Sequence, residues 1–161
     1  MIILFIVAIL IVIADQLIKL LVVNTIKVDG PVSILNGLVD FLYCENRGMA
    51  FGMLQNARWL FIGFTFVVMV GIVIYMLKTK PKSKFLLASL ALILGGGIGN
   101  LIDRIFLGYV IDYIRLSFFS PVCNFADYCI TIGTALLVIY ILFSSQDDTP
   151  NTIQKVDIKD E

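Results

Sequence analysis

The residues with the most chemical promise are two aspartates, Asp112 in "YVIDYIRL" and Asp127 in "NFADYCI", set in a chain that is otherwise mostly apolar. Histidine is absent, which removes His-based triads and the HExxH zinc motif. The three cysteines, Cys44, Cys123 and Cys129, form neither a CxxC pair nor a four-ligand set, so no metal and no cofactor is expected and the thiols read as small apolar packing residues. Carboxylate chemistry remains. Two carboxyl groups in close, poorly solvated contact cannot both ionise easily, so one pKa rises and the pair shares a proton. Such a pair can hydrolyse an amide: the ionised member takes a proton from water, while the protonated member hydrogen-bonds the scissile carbonyl and later assists the leaving amine.

Other polar residues also need a reason. Asp15 and Lys19, four apart with the acid first, suit a same-face ion pair on a helix, or a pair that snorkels to the membrane interface. "ENRGMAFG", residues 45–52, reads as a turn in which Asn46 offers both donor and acceptor and the glycines allow a close ligand approach. "GGGIGNLIDR", residues 95–104, lacks the strand-first context of a dinucleotide loop. Its glycines, Gly95, Gly96, Gly97 and Gly99, instead suit close helix contact in a bilayer. Asn100 and Arg104 share a helix face there, with Arg104 able to reach polar groups or lipid phosphate and Asp103 placed to offset its charge. In "NFAD", Asn124 reads as an N-cap and Asp127 as an acid at the third helical position, a structural explanation sufficient for Asp127 alone.

The elements that must position these groups follow from hydropathy. The chain has 161 residues, 60% of them hydrophobic, with zero formal net charge and a mean hydropathy of +0.99, well above a soluble domain. Four stretches are long enough to cross a bilayer: 2–23, 59–77, 85–102 and 125–143. The first lacks a preceding basic residue and carries Asp15, Gln16 and Lys19, so it is expected to be a span rather than a cleaved leader. Lys78, Lys80, Lys82 and Lys84 crowd the link between the second and third spans, which places that link and both termini on the cytoplasmic side. The segments 24–58 and 105–122 then face outward. "VSIL" and "LVDFLY" flank turn signals and predict a small sheet, and "FLGYVIDYIRLSFFSP" alternates as a strand or hairpin packed on it. That strand sets Asp112 at the membrane depth of Asp127, and a loop of about a dozen residues can return the chain so that the carboxylates face each other. Residues 1–146 thus read as a single membrane-embedded domain, a mainly α four-helix bundle with an outward-facing β-sheet cradle, and residues 147–161 as a disordered cytoplasmic tail.

Zero net charge argues against a nucleic-acid partner. Acids in a bundle also mark ion paths, so a small proton-coupled transporter or channel is the alternative; it requires polar residues through the full membrane depth, and the second span is almost wholly apolar. The ordered set "DQLIK", "NRGMAFG", "GGGIGNLIDR", "VIDY" and "NFAD" resembles the lipoprotein signal peptidases, also called signal peptidase II. These are bacterial four-helix membrane enzymes that cut the signal peptide from prolipoproteins just before a diacylglyceryl-modified cysteine. The resemblance implies that Asp112 and Asp127 form a catalytic dyad, that Asn46, Gly96, Asn100, Arg104 and Asn124 line the substrate site, and that Asp15 and Lys19 support structure beside it. It also implies a link around Phe106–Tyr113 able to close over substrate, lipid-modified prolipoproteins and membrane lipids as partners, a monomeric state, and a site at the outer leaflet of the cytoplasmic membrane. Met49 stands where many relatives carry a small residue, with an expected effect on pocket shape.

Overall fold

Four long apolar helices dominate the computed structural model, which describes residues 2–48 and 57–144. Met49 and the tail 147–161 lie outside the described residues. In chain order the elements are α1 (Ile2–Asn24), the single turn α2 (Ile26–Asp29), β1 (Val32–Ile34), a 3-10 turn (Leu35–Gly37), β2 (Val39–Asn46), α3 (Arg58–Thr79), α4 (Lys84–Phe106), β3 (Val110–Leu116), β4 (Phe119–Cys123) and α5 (Phe125–Ser144). The four long helices are those capable of crossing a membrane.

The third span runs further than hydropathy suggested, through Phe106 rather than Ile102. Asp103 and Arg104 are carried inside the helix because each finds partners there, so the charges do not end it. α4 is the central helix, packed against α1, α3 and α5, while α3 leans mainly on α4. At one end of the bundle Leu4, Ala8, Met76, Leu86, Leu90, Ala91 and Leu94 form a dry cluster. The outer faces, including Leu17, Leu21, Phe64 and Val67, are exposed and apolar, as lipid contact requires.

Apolar burial gives little net drive between helices already in hydrocarbon, so close packing must supply it. Gly96 and Gly133 permit that approach at the α4–α5 crossing. A Cβ on Gly96 would meet the Ala126 carbonyl, and one on Gly133 would lie 2.8 Å from the Ser89 carbonyl oxygen.

All four strands pair antiparallel in the order β1-β2-β3-β4. The predicted Asn36–Gly37 turn joins β1 to β2, with φ of 55° and 85° at those residues. Cys44 stands opposite Asp112 and Asn46 opposite Val110 across the β2–β3 pair, so cross-strand neighbours face the same side as Asp112. The expected alternation of β3 holds only in its second half. Val110 to Tyr113 are all buried, because Ile111 and Tyr113 pack with Val22, Ile18 and Ile26 at the bundle end while Asp112 is covered by polar side chains on the other face. Within the Phe106–Tyr113 link the latter half is a buried strand, and the Tyr113 hydroxyl accepts a hydrogen bond from the Phe125 N–H at 3.1 Å.

Candidate active site

The site begins at the start of α5, where the backbone has four N–H groups without helical partners. Each is satisfied by a different route. The Asn124 N–H donates to Asp127 Oδ2 at 3.2 Å, and the Asp127 N–H donates to Asn124 Oδ1 at 2.9 Å, a reciprocal capping box. The Phe125 N–H goes to Tyr113, and the Ala126 N–H donates to Asp15 Oδ1 of α1 at 3.2 Å. The helix start is therefore pinned from its own cap, from β3 and from α1 together.

Asn124 also joins the two aspartates. Its Nδ2 donates to Asp112 Oδ1 at 2.6 Å while its Oδ1 is held by the Asp127 N–H. The second oxygen of Asp112 accepts from Asn46 Nδ2 at 2.8 Å, and Asn46 Oδ1 is held by the Gly48 N–H at 3.0 Å. Asp127 Oδ1 accepts from Asn100 Nδ2 at 2.7 Å. Asp112 is buried, 1% exposed, and Asp127 is half-buried. Burial, and then the neighbouring charge of Asp127, push the Asp112 carboxyl up to about 7, against the opposing pull of the Asn46 and Asn124 amides. Both carboxyl groups are thus bracketed by N–H donors, and Asn124 bonds to each of them.

Beneath it lies a buried ionic cluster. Lys19 is 2% exposed and spends its three donors on Asp15 Oδ2 at 2.8 Å, Asp103 Oδ2 at 2.8 Å and Asn100 Oδ1 at 3.0 Å. The expected Asp15–Lys19 pair is present, but it is buried within the bundle and does not snorkel. Asp103 offsets Arg104 through its charge, as expected, while its oxygens bond elsewhere. Adjacent helix residues do not face each other, and Asp103 turns to Lys19, to Gln16 Nε2 at 3.0 Å and to the Ile111 N–H at 3.1 Å. Arg104 is half-buried; its Nη1 donates to the Asn100 carbonyl at 3.3 Å and its guanidinium lies 5.3 Å from the Phe61 ring centre. Buried ion clusters persist when every member is satisfied, and here the contacts tie α1, α4, β3 and α5 together.

Asn46, Asn100 and Asn124 thus surround the two aspartates, and Arg104 lies within electrostatic range of both. Gly96 sits at the α4–α5 crossing against Ala126, one turn away from Asn100, where it sets helix spacing. Gln16 and Tyr113 were not among the expected site residues. Gln16 was visible as an amide inside an apolar helix, but nothing local showed that it bridges Asp15, the Gly99 carbonyl and Asp103. Tyr113 fell on the strand face opposite Asp112. Cysteine chemistry is not favoured: burial, followed by the charges of Asp127 and Asp112, pushes the Cys123 thiol up to about 11, and Cys44 is raised by burial and Asp112.

With this geometry described, comparisons with known proteins are specific. The family model for signal peptidase (SPase) II matches residues 7–143. A lipoprotein signal peptidase of Halothermothrix orenii is 42% identical over 137 residues, 85% of this chain and 93% of that protein. One from Symbiobacterium thermophilum is 34% identical over 145 residues, 88% of this chain and 95% of that protein. A bacterial membrane enzyme solved by the in meso method at 2.3 Å superposes with a TM-score of 0.84 at 26% identity, covering 94% of each chain. A second, solved at 1.9 Å, gives a TM-score of 0.78 at 28% identity, covering 91% of this chain and 94% of that one. Four spanning-capable helices, a four-stranded sheet at the bundle end and a family match across nearly all the described residues establish that this chain belongs to the signal peptidase II family of membrane peptidases.

Proposed function

We propose that the protein is an aspartic endopeptidase that removes the signal peptide from diacylglyceryl-modified prolipoproteins, cleaving on the N-terminal side of the lipidated cysteine. One observation carries the mechanism: Asn124 binds both Asp112 and Asp127, which holds two carboxyl groups together at the end of the bundle beside the sheet. The ionised carboxylate removes a proton from water as the oxygen attacks the scissile carbonyl. The protonated carboxyl donates a hydrogen bond to the developing oxyanion. Collapse of the tetrahedral intermediate breaks the C–N bond, and the proton taken from water passes to the leaving amine.

The surrounding amides orient the carboxyl groups. A lipid-anchored peptide presents its cleavage bond at the interface, which gives a reason for acids at helix-end depth. The lysines of the 78–84 link mark the opposite end as cytoplasmic, so the sheet faces outward, both termini face inward and the monomer works at the outer leaflet. The transporter reading loses support because the buried ionic groups gather at one end, and residues 59–77 of α3 contain no Asp, Glu, Lys or Arg.

The test is gel-shift cleavage of a diacylglyceryl-modified prolipoprotein by the detergent-purified protein, beside Asp112→Asn and Asp127→Asn. Cleavage by the parent and none by either folded variant is expected. Cleavage surviving both substitutions sinks the dyad mechanism.

A further inference from the structure

All three asparagines around the two aspartates turn their NH2 ends toward a carboxylate, because each carbonyl end is already occupied by a donor. For Asn46 the occupant is the Gly48 N–H, for Asn124 the Asp127 N–H, and for Asn100 the Lys19 ammonium. The first two occupants are neutral peptide groups. Only the Asn100 amide is backed by a cation, and it donates to Asp127. A charge at one end of an amide strengthens donation at the other. It also makes the reversed orientation costly, since a flipped amide would turn its NH2 toward the ammonium and its carbonyl oxygen toward Asp127.

We propose that Lys19 is a positioning residue: by holding the carbonyl end of Asn100, it forces that amide to donate to Asp127 and keeps Asp127 the ionised, water-activating member of the pair, with the shared proton on Asp112. The inference rests on the dyad reading and deepens it. Three further features agree. Asp127 receives the Asn124 N–H at a helix N-terminus, where the dipole favours an anion. Asp112 lies on a strand with no such dipole. Asp127 is also the more open of the two, hence the better placed to meet water. The charged and titratable groups facing Asp127 are Lys19 from α1, Arg104 from α4, Asp112 and Tyr113 from β3, Cys123 from β4 and Tyr128 from its own helix. Among them Lys19 is the cation joined to Asp127 through a single intervening amide.

The sign of the effect follows. The acid limb of the cleavage profile marks protonation of the ionised member of the pair, and the alkaline limb marks loss of the shared proton. Without Lys19, Asn100 can turn its carbonyl to Asp127 and accept a hydrogen bond from the protonated acid. The acid limb then moves to higher pH.

The experiment measures pH profiles of kcat and KM for Lys19→Met, Lys19→Arg, Asn100→Leu and the double variant Lys19→Met with Asn100→Leu. Lys19→Met is expected to lower kcat about tenfold or more, with KM changed less than about threefold. Its acid limb should rise by at least about half a pH unit, and Lys19→Arg should restore it. In the Asn100→Leu background, Lys19→Met should shift the limb less than it does in the parent, because part of its effect passes through Asn100. A folded Lys19→Met protein with the parental limb, or additive shifts in the double variant, overturns the proposal.

Because Lys19→Met leaves Asp15 and Asp103 buried without their cation, the charge-reduced variant Lys19→Met with Asp103→Asn is run beside it, compared with Asp103→Asn alone. If only the charge-reduced protein folds, its limb decides. Loss of cleavage in Asp112→Asn and Asp127→Asn with an unmoved limb in the Lys19 variants rejects this inference and leaves the dyad standing. Cleavage by both aspartate variants rejects the dyad itself.

Discussion

At the scale of single residues, Asp112 carries the clearest pH consequence. Its folded carboxyl is pushed up to about 7, from an ordinary value of 3.8, so between those values the folded protein holds a proton that the unfolded chain has released. Stability from this group is therefore fully present below about pH 4 and is lost as pH rises toward 7. Asp112→Asn removes the titration. Its melting temperature in detergent, measured relative to the parent, should rise between about pH 4 and 8; a difference independent of pH contradicts the raised value. Asn124 has two duties, and its loss should register in both. Asn124→Ala removes the helix cap, costing about 1 kcal/mol of stability, and removes the 2.6 Å bond to Asp112. A hydrogen bond to the protonated member of the pair contributes about 0.5–1.5 kcal/mol, so cleavage should fall about two- to tenfold. Unchanged melting would contradict the capping role, and unchanged cleavage the positioning role.

At the scale of elements, the α4–α5 crossing sets the distance between the amide of Asn100 and the start of α5. Gly96→Ala places a methyl group against the Ala126 carbonyl, one residue before Asp127. Backbone cannot yield as a flexible side chain does, so the substitution should destabilise by about 1–3 kcal/mol and reduce cleavage by displacing Asp127. Gly63→Ala, on α3 with open space around the added carbon, is the control expected to change neither. Melting and cleavage assays on the purified pair check both expectations. This crossing also explains why the glycine run was legible as helix packing: small residues among large ones in an apolar segment have few other physical uses. Which glycine meets which helix was not legible, because the rotation of α4 against α1 and α5 is a tertiary choice.

At the scale of the whole molecule, the lysines of the 78–84 link and the sheet lie at opposite ends of the long helices. In a background with Cys44, Cys123 and Cys129 replaced, Phe118→Cys should be labelled by a membrane-impermeant maleimide in intact cells, once any outer barrier is permeabilised. Lys82→Cys should be labelled only after the cytoplasmic membrane is opened. The reverse pattern overturns the proposed orientation. Phe118 is suited to the test because it is 76% exposed at the β3–β4 turn.

Composition and hydropathy were enough to determine four spanning segments, since a run of about twenty apolar residues has few alternatives to a bilayer helix. Turn residues and β-branched runs were enough for the sheet, and Asn124 with Asp127 for the start of α5, because caps and turns are decided by neighbours in sequence. The buried cluster was decided only by the tertiary structure. A charge four residues from its partner reads as a local pair, yet Lys19 also binds Asp103 and Asn100 from α4, and Asp15 caps α5. Likewise, alternation could place Asp112 on a strand face but could not show that the opposite face is buried against the bundle. The physical reason is common to both: what a polar group costs in a dry interior depends on which distant partners satisfy it, and those are chosen when the helices and sheet pack together.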